Sequence, residues 1–517
     1  VKHKRKTFPG GAHIIDYKGF TNSLETVEAD APAKVYIPMS MHIGAPSKPL
    51  VEVGDEVKMG QKVAESQGYV SVPAHSSVSG TVTAIQRMPI PSGRMVDTVV
   101  IENDYKDEWA SPPSPVSRET LESMDSAALQ AKVLEAGVVG MGGATFPSHV
   151  KVAPPQDGKG FDYVILNGIE CEPFLTADHR IMLERPERIL AGMKYFLRML
   201  DCDRGVIAIE ENKMDAFDLM IKLTEKEAKI ETVICKEKYP QGSEKQLINT
   251  VTGREVPPGG LPSDVGVLVH NVSTAAAVAD AIEYGRPLID RIVTLNGNAI
   301  SKPMNYRVRI GTLYGDLITQ NGGITGDTVK VISGGPMMGT PLTKEQAENT
   351  VVTKTTSGFI ILKSDNYLND LSAVPAARML NRAKSICIQC RFCTDLCPRS
   401  MLGHPIEPHK IMRRVAAGAC VREMPDDPVL RSALYCCECG VCELFACPMQ
   451  LQPRRVNAMI KKELSALGVR PEKGAGEYKA DQNRDYRKIP SKKAAASAGV
   501  LRYYDIKIKR FTEGAPD

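Results

Sequence analysis

Ten of the thirteen cysteines in this 517-residue chain lie between residues 387 and 447, and eight of them form two repeats that end in Cys-Pro. The first repeat is Cys387-x-x-Cys390-x-x-Cys393-x-x-x-Cys397-Pro398. The second is Cys436-x-x-Cys439-x-x-Cys442-x-x-x-x-Cys447-Pro448, with one extra residue before its last cysteine. Three thiolates at this spacing can wrap three corners of an iron–sulfur cube, and the fourth ligand usually comes from the other repeat. The expectation is two [4Fe-4S] clusters. One is held by Cys387, Cys390, Cys393 and Cys447, the other by Cys436, Cys439, Cys442 and Cys397. Clusters held this way sit close together and pass single electrons, which reads as a station on an electron-transfer chain.

Two other uses of cysteine compete. No signal peptide is read at the start, so the thiols are expected to stay reduced rather than form disulfides. Paired Cys-x-x-Cys motifs also hold zinc. Four cysteines per run followed by proline, with almost no interleaved histidine, favour iron–sulfur. Cys437 could replace Cys436 as a ligand, and that choice stays open. Cys420, Cys202 and Cys235 stand alone and read as small buried hydrophobes.

The length allows three to four domains. A net charge of +4 carries no nucleic-acid signature. No apolar run approaches the roughly 18 residues that a membrane span requires. Positive charge gathers at the C-terminus, in Arg484, Arg487, Lys488, Lys492, Lys493, Arg502, Lys507, Lys509 and Arg510. That stretch reads as a solvated tail, or as a docking surface for an acidic partner or anionic lipid.

Residues 33–101 read as short strands with glycine turns, as in Val51-Glu-Val-Gly-Asp-Glu-Val-Lys-Met-Gly60. The pattern resembles the barrel-sandwich fold of lipoyl and biotinyl carriers. The matching hairpin tip, Gly68-Tyr69-Val70-Ser71, lacks their modifiable lysine, so a scaffold is implied. Ala110-Ser-Pro-Pro-Ser-Pro-Val116 reads as a linker. Residues 118–136 have helical periodicity. Apolar runs at 163–166, 205–209, 232–234 and 265–269, separated by helical stretches, indicate an α/β layer. Residues 291–340 return to short strands and end in Gly334-Gly-Pro-Met-Met-Gly339. From about 368 the chain reads as helical, and the 38 residues between Cys397 and Cys436 suit an α-helical ferredoxin domain.

Two loops carry ligand chemistry. Gly137-Val-Val-Gly140-Met-Gly142-Gly143-Ala-Thr-Phe146 follows a helix rather than a strand, which argues against a Rossmann fingerprint. Its glycines still let backbone N–H groups approach a flat or phosphorylated ligand. After the strand 163–166 comes Asn167-Gly-Ile-Glu170-Cys171-Glu172-Pro173, at a strand's carboxyl end, where α/β folds place ligands. A tight structural turn and a solvated acidic turn are the plain alternatives.

Gly140-x-Gly-Gly-Ala-x-Phe-Pro-x-x-x-Lys151 and Asn167-x-x-Glu-x-Glu-Pro173 resemble the flavin loop of the NADH-binding flavoprotein subunit of respiratory complex I. Tyr239-Pro-Gln-Gly-Ser-Glu244 and Asn271-Val-x-Thr274 resemble its next pocket segments, and residues 291–340 its soluble-ligand-binding (SLBB) β-grasp domain. Phe8-Pro-Gly-Gly-x-His13 and Ile37-Pro-x-Ser-x-His42-Ile-Gly-Ala-Pro46 are similar to the C subunit of Rnf-type ferredoxin:NAD oxidoreductase complexes, over residues 5 to about 450. Met141 and Thr145 depart from the complex I loop, which has arginine and glycine there. The segments Cys397–His404, Cys436–Glu443 and Tyr486–Pro490 also resemble the cobalamin reductase of propanediol-utilising microcompartments, in which the barrel-sandwich segment follows the clusters. Domain order here favours the Rnf family.

The implied fold is multidomain α/β: a barrel-sandwich at 1–110, an FMN/NADH-binding α/β domain at 118–290, a β-grasp domain at 291–365, a helical ferredoxin domain at 366–468, and the basic tail at 469–517. The resemblance implies FMN with NAD(H) stacked on it. The implied lining is Gly140, Gly142, Gly143, Lys151, Asn167, Glu170, Glu172, Tyr239, Glu244 and Asn271. Hydride chemistry belongs to the cofactors, so no side chain is assigned as catalytic. A flavin can split the electron pair of NADH into the single electrons that clusters accept. The expected partners are membrane-embedded and ferredoxin-like subunits. The expected location is the cytoplasmic face of a membrane, or a microcompartment lumen if the cobalamin reading holds. A cluster-carrying scaffold that binds no NAD is the third reading.

Overall fold

The computed structural model describes residues 4–153, 160–326, 329–363 and 374–474. The basic tail beyond residue 484, the Tyr486–Pro490 segment and the expected boundary at 365/366 lie outside the described residues.

The N-terminal part is two small antiparallel sheets. One is four-stranded, in the order Lys34–Pro38, Met95–Asn103, Gly80–Pro89, Glu56–Val57. The other joins Lys48–Pro49, Lys62–Glu65 and Ala74–His75. Alternation decides the faces, because successive side chains of a strand point to opposite sides. Val35, Ile37, Val99 and Ile101 are fully buried, while Lys34 and Glu102 pair across the outer face at 3.5 Å. The tip at Tyr69 meets the next domain, with its carbonyl 3.2 Å from His149 Nε2.

The α/β domain is built on four parallel strands, in the order Ile230–Cys235, Gly205–Glu210, Tyr163–Gly168, Val267–Asn271. The chain winds outward from Tyr163–Gly168 in one direction, then returns to add Val267–Asn271 on the other side. That reversal is a topological switch point, the crevice where open α/β sheets bind ligands. Helices Pro186–Leu200 and Val272–Tyr284 cover one face and pack very closely. A Cβ on Gly192 would stand 2.0 Å from Ala275 O, so only glycine fits. The core on this face runs on without a break into the barrel core, joining Val164, Met193 and Ile282 to Val35 and Val63. The helical periodicity of 118–136 resolves into two helices, Arg118–Ser123 and Ser126–Glu135. They divide at Asp125, whose carboxylate accepts the Ala128 N–H at 2.8 Å and caps the second helix.

The β-grasp part is a six-stranded mixed sheet with its own core around Val293, Tyr314 and Phe359. Its edge strand, Val27–Glu28, comes from the N-terminal arm. That arm first crosses the α/β domain, pairing Lys6 with Cys235 and Ala12 with Tyr239. The cysteine-rich part is helical, as its insert length predicts, with helices at Ala376–Ile386, Pro408–Ala416 and Pro453–Ala466 enclosing Ile411, Leu430 and Val456.

Candidate cofactor sites

The loops singled out by sequence meet at the carboxyl edge of the parallel sheet. Asn167 and Asn271 lie opposite each other in register across the switch point. Asn167 Nδ2 donates to Gly242 O at 2.8 Å, which ties the first strand to the Tyr239–Glu244 segment. Asn271 Oδ1 caps the helix Val272–Tyr284 through Ser273 N–H, and its Nδ2 donates to Asp178 at 2.6 Å. The glycine loop closes on itself through Gly140 N–H to Phe146 O at 2.9 Å. Gly142 rests on Asn271, where a Cβ would come within 2.9 Å of the Asn271 Cβ. Gly143, at φ +144°, faces open space. Lys151 Nζ reaches Glu244 at 3.0 Å and Val269 O at 2.6 Å, and stays partly exposed.

The two acids of the carboxylate loop have separate duties. Glu170 accepts the Asp178 and His179 N–H groups at 2.7 and 3.3 Å, which caps the helix Ala177–Glu184. Glu172 accepts the Met337 N–H at 3.1 Å and the Tyr239 hydroxyl at 3.3 Å. Burial pushes Glu172 up to about 7. Burial, with Glu170 beside it, raises Asp178 to about 6. Cys171 packs between them, accepting the Gly242 N–H at 3.4 Å. The loop is bent sharply, with Glu170 at φ +47° and Phe174 at φ +68°, conformations that cost energy for residues with a side chain.

Sequence reasoning missed what holds these loops. Lys18 is only 3% exposed and donates to Glu172 O at 2.9 Å and to Leu175 O. Lys213 is fully buried and donates to Ile169 O at 2.7 Å. Arg291 of the β-grasp sheet reaches Met141 O at 3.5 Å, and Lys354 reaches Gly137 O at 2.7 Å. Each is a buried cation aimed at loop carbonyls. No local pattern marks them, because their partners lie up to 281 residues away.

The two cysteine repeats share one backbone form. The residue before the second cysteine is left-handed in both, Gln389 at φ +56° and Glu438 at φ +57°. So is the residue after it, Arg391 at +70° and Gly440 at +81°. This register matches Cys436 to Cys387 and sets Cys437 opposite Ile388. The extra residue of the second repeat is taken up by a π-helical turn, Val441–Ala446, whose wider ring accommodates an added residue. Burial and the neighbouring Cys447, Cys390 and Cys387 push the Cys393 thiol up to about 12. Cys442 is raised by burial and by Cys436 and Cys397. Cys447 thus lies within electrostatic reach of the first repeat's cysteines, and Cys397 within reach of Cys436 and Cys442. Thiols gathered in this way resist ionising together unless a cation joins them, which is the chemistry a metal cluster supplies, although among the described residues no three ligating side chains are already drawn together around one metal position.

The second set abuts the flavin-type edge. Tyr239, Met337, Cys439 and Val441 share one small apolar cluster, with Cys171 and Cys437 against it. Arg454 Nη1 donates to Met337 O at 2.7 Å, while the same residue's N–H is held by Glu172. The Gly334–Gly339 turn is thus clamped between the two sites.

Four family profiles cover the chain in the order read from sequence. Residues 6–106 match the RnfC barrel sandwich hybrid domain, and residues 133–280 match the Nuo51 FMN-binding domain. Residues 292–341 match the SLBB domain, and residues 386–452 a 4Fe-4S dicluster domain. Fold and sites together define a flavin and iron–sulfur electron-transfer oxidoreductase. The C subunit of the Na+-translocating ferredoxin:NAD+ oxidoreductase complex of Acetobacterium woodii is 44% identical over 398 residues, 77% of this chain and 85% of that protein. Its counterpart in the proton-translocating complex of Clostridium ljungdahlii is 45% identical over 76% of this chain and 82% of its own length. The chain belongs to this family, the C subunits of Rnf-type complexes. Cobalamin reductase PduS of Salmonella typhimurium is 36% identical over 74% of this chain and 81% of its own, so that resemblance reaches well beyond the segments between Cys397 and Pro490.

Proposed function

We propose that this chain exchanges electrons between NAD(H) and iron–sulfur carriers as the peripheral C subunit of an ion-translocating ferredoxin:NAD oxidoreductase. FMN binds at the switch-point edge. Bound there, it supplies the conversion between a hydride and single electrons. Gly140, Gly142 and Gly143 bring backbone N–H groups to the ligand, and Lys151 offers a cation to phosphate or to the reduced ring. Asn167, Asn271, Glu170, Glu172, Tyr239 and Glu244 shape and hold the pocket wall. One cluster takes Cys387, Cys390, Cys393 and Cys447; the other takes Cys436, Cys439, Cys442 and Cys397. Among the described residues no helix is long and apolar enough to cross a membrane. Attachment runs through partner subunits on the cytoplasmic side.

The observation that carries this reading is the junction itself, where Tyr239 touches both Glu172 and the neighbourhood of Cys439. A flavin edge and a cluster separated by one side chain need no further carrier. The test is twofold: about eight iron and eight sulfide per chain, with one non-covalent FMN, and capture from native membranes with membrane-embedded electron-transfer subunits. Zinc in place of iron, or a fully iron-loaded chain that never takes up FMN, would sink it. The similarity to cobalamin reductase supports a second reading. Recovery only in soluble or microcompartment fractions, with NADH-dependent cobalamin reduction, would favour it.

A further inference from the structure

Arg399 follows Cys397 by two residues and belongs to neither the flavin edge nor the cysteine repeats. Its guanidinium faces Cys437, which packs against the second cysteine set. Its Nε and Nη1 are sealed from solvent and have no acceptor among the described residues. Buried donors without partners are costly, and a guanidinium doubly so, because both its charge and its N–H groups lose water. Asn457 adds a donor at another cysteine of the set. It is fully buried, its Nδ2 stands 3.6 Å from Cys436 Sγ, and its Oδ1 has no partner among the described residues. The backbone N–H groups of Arg399 and Ser400 point at Cys397, and Glu438 N–H points at Cys436 Sγ at 3.4 Å. Donors therefore meet the second set at Cys397, Cys436 and the adjoining Cys437.

The first set is built differently. Its Cys447 Sγ accepts the Leu451 N–H at 3.3 Å. Arg391 lines its cavity and forms an ion pair with Asp395 at 3.2 Å, although its Nε, too, is sealed without a hydrogen-bond acceptor among the described residues. Ile388, on the same cavity wall, is 60% exposed. One cysteine set thus has beside it a guanidinium that bonds Cys437 and keeps two further N–H groups sealed and unused, and the other has a carboxylate-paired guanidinium near solvent.

We infer that Arg399 is a positioning residue whose sealed N–H groups donate to the sulfur face of the centre on Cys397, Cys436, Cys439 and Cys442 and raise its reduction potential. This rests on the cluster reading above. Adding one electron to that centre adds one negative charge, with no bond broken. A fixed cation and N–H donors stabilise the reduced form more than the oxidised one, and hydrogen bonds to cluster sulfurs are a known control of potential. The electron then rests at the centre that lies beside Tyr239 and the flavin edge.

The test is a redox titration of the anaerobically purified full chain, followed by electron paramagnetic resonance, with Arg399→Gln, Arg399→Lys and Asn457→Leu. Iron and sulfide are measured on each. Arg399→Gln is expected to keep its iron and to move one of the two cluster signals to lower potential. At a fixed applied potential the oxidised-to-reduced ratio of that signal should rise about tenfold, which for one electron is about 59 mV. Arg399→Lys should move the same signal by less, because it keeps the charge but loses the fork. Asn457→Leu, which removes the contact to Cys436, should shift that same signal and so identify the centre. Unchanged potentials in an iron-replete Arg399→Gln protein would overturn the inference. So would shifts of different signals by Arg399→Gln and Asn457→Leu, or loss of iron in both Arg399 variants, which would make the residue structural only. Zinc in the wild-type chain would instead remove the cluster reading on which the inference stands.

Discussion

Glu172 is where the flavin-type edge, the β-grasp turn and the cysteine-rich part meet, and its ionisation should be visible in stability. Burial raises its carboxyl from an ordinary 4.5 to about 7. A carboxyl whose folded value lies above its unfolded value holds its proton more tightly in the native state. Native stability from this group is therefore fully present below about pH 4.5, falls as pH rises toward 7, and levels off above it. The shift amounts to about 3 kcal/mol. Glu172→Gln keeps an oxygen for the Met337 N–H and removes the charge. The variant should gain about 3 kcal/mol relative to wild type between pH 4.5 and pH 8. Urea unfolding followed by the fluorescence of Trp109 measures this. The chain has one tryptophan, and its ring packs where a Cβ on Gly60 would come within 2.9 Å, at the joint of barrel and α/β domain. Parallel pH profiles for the two proteins would refute the argument, since they would mean that Glu172 is solvated or paired in a way its contacts do not reveal.

Cys397→Ser should halve the iron to about four per chain and abolish the signal of the centre anchored by Cys436, Cys439 and Cys442, as counted by iron analysis and electron paramagnetic resonance. Loss of the other signal would reverse the crossing. Thr145 sits at φ +48°, where the related flavin loop has glycine. Thr145→Gly should relieve about 1 kcal/mol of strain and raise the Trp109 melting midpoint by a few degrees, and a lowered midpoint would count against strain there. Lys151→Ala removes the links to Glu244 and Val269 O and should weaken FMN binding about tenfold, corresponding to about 1.4 kcal/mol, with iron unchanged. Equal affinity by equilibrium dialysis would take Lys151 out of the pocket.

Much of this protein is local and so can be read directly. Cluster cysteines must recur at short fixed spacings because three of them wrap one small object, and the two repeats carry that rule in plain view. Buried parallel strands are continuous apolar runs, which is why Tyr163–Gly168 and Gly205–Glu210 are legible nearly to the residue. The glycine and carboxylate loops stand out because turns at strand and helix ends demand particular residues. Periodicity reads residues 118–136 as helical but does not show that they form two helices, since a capping aspartate can restart a helix without breaking the apolar repeat.

Other features depend on distant parts of the chain coming together. Asn167 and Asn271 face each other only because the fourth strand returns to the far side of the first. Which cysteine of Cys436 and Cys437 matches Cys387 is decided by left-handed residues on either side of the second cysteine, and the odd residue of the second repeat is absorbed by a π-helical turn. The buried cations Lys18, Lys213, Arg291 and Lys354 look like ordinary surface charges in a linear reading. They are drawn inside because the loops they hold leave carbonyl groups unpaired, and only the folded chain brings those carbonyls within reach of an ammonium or guanidinium group.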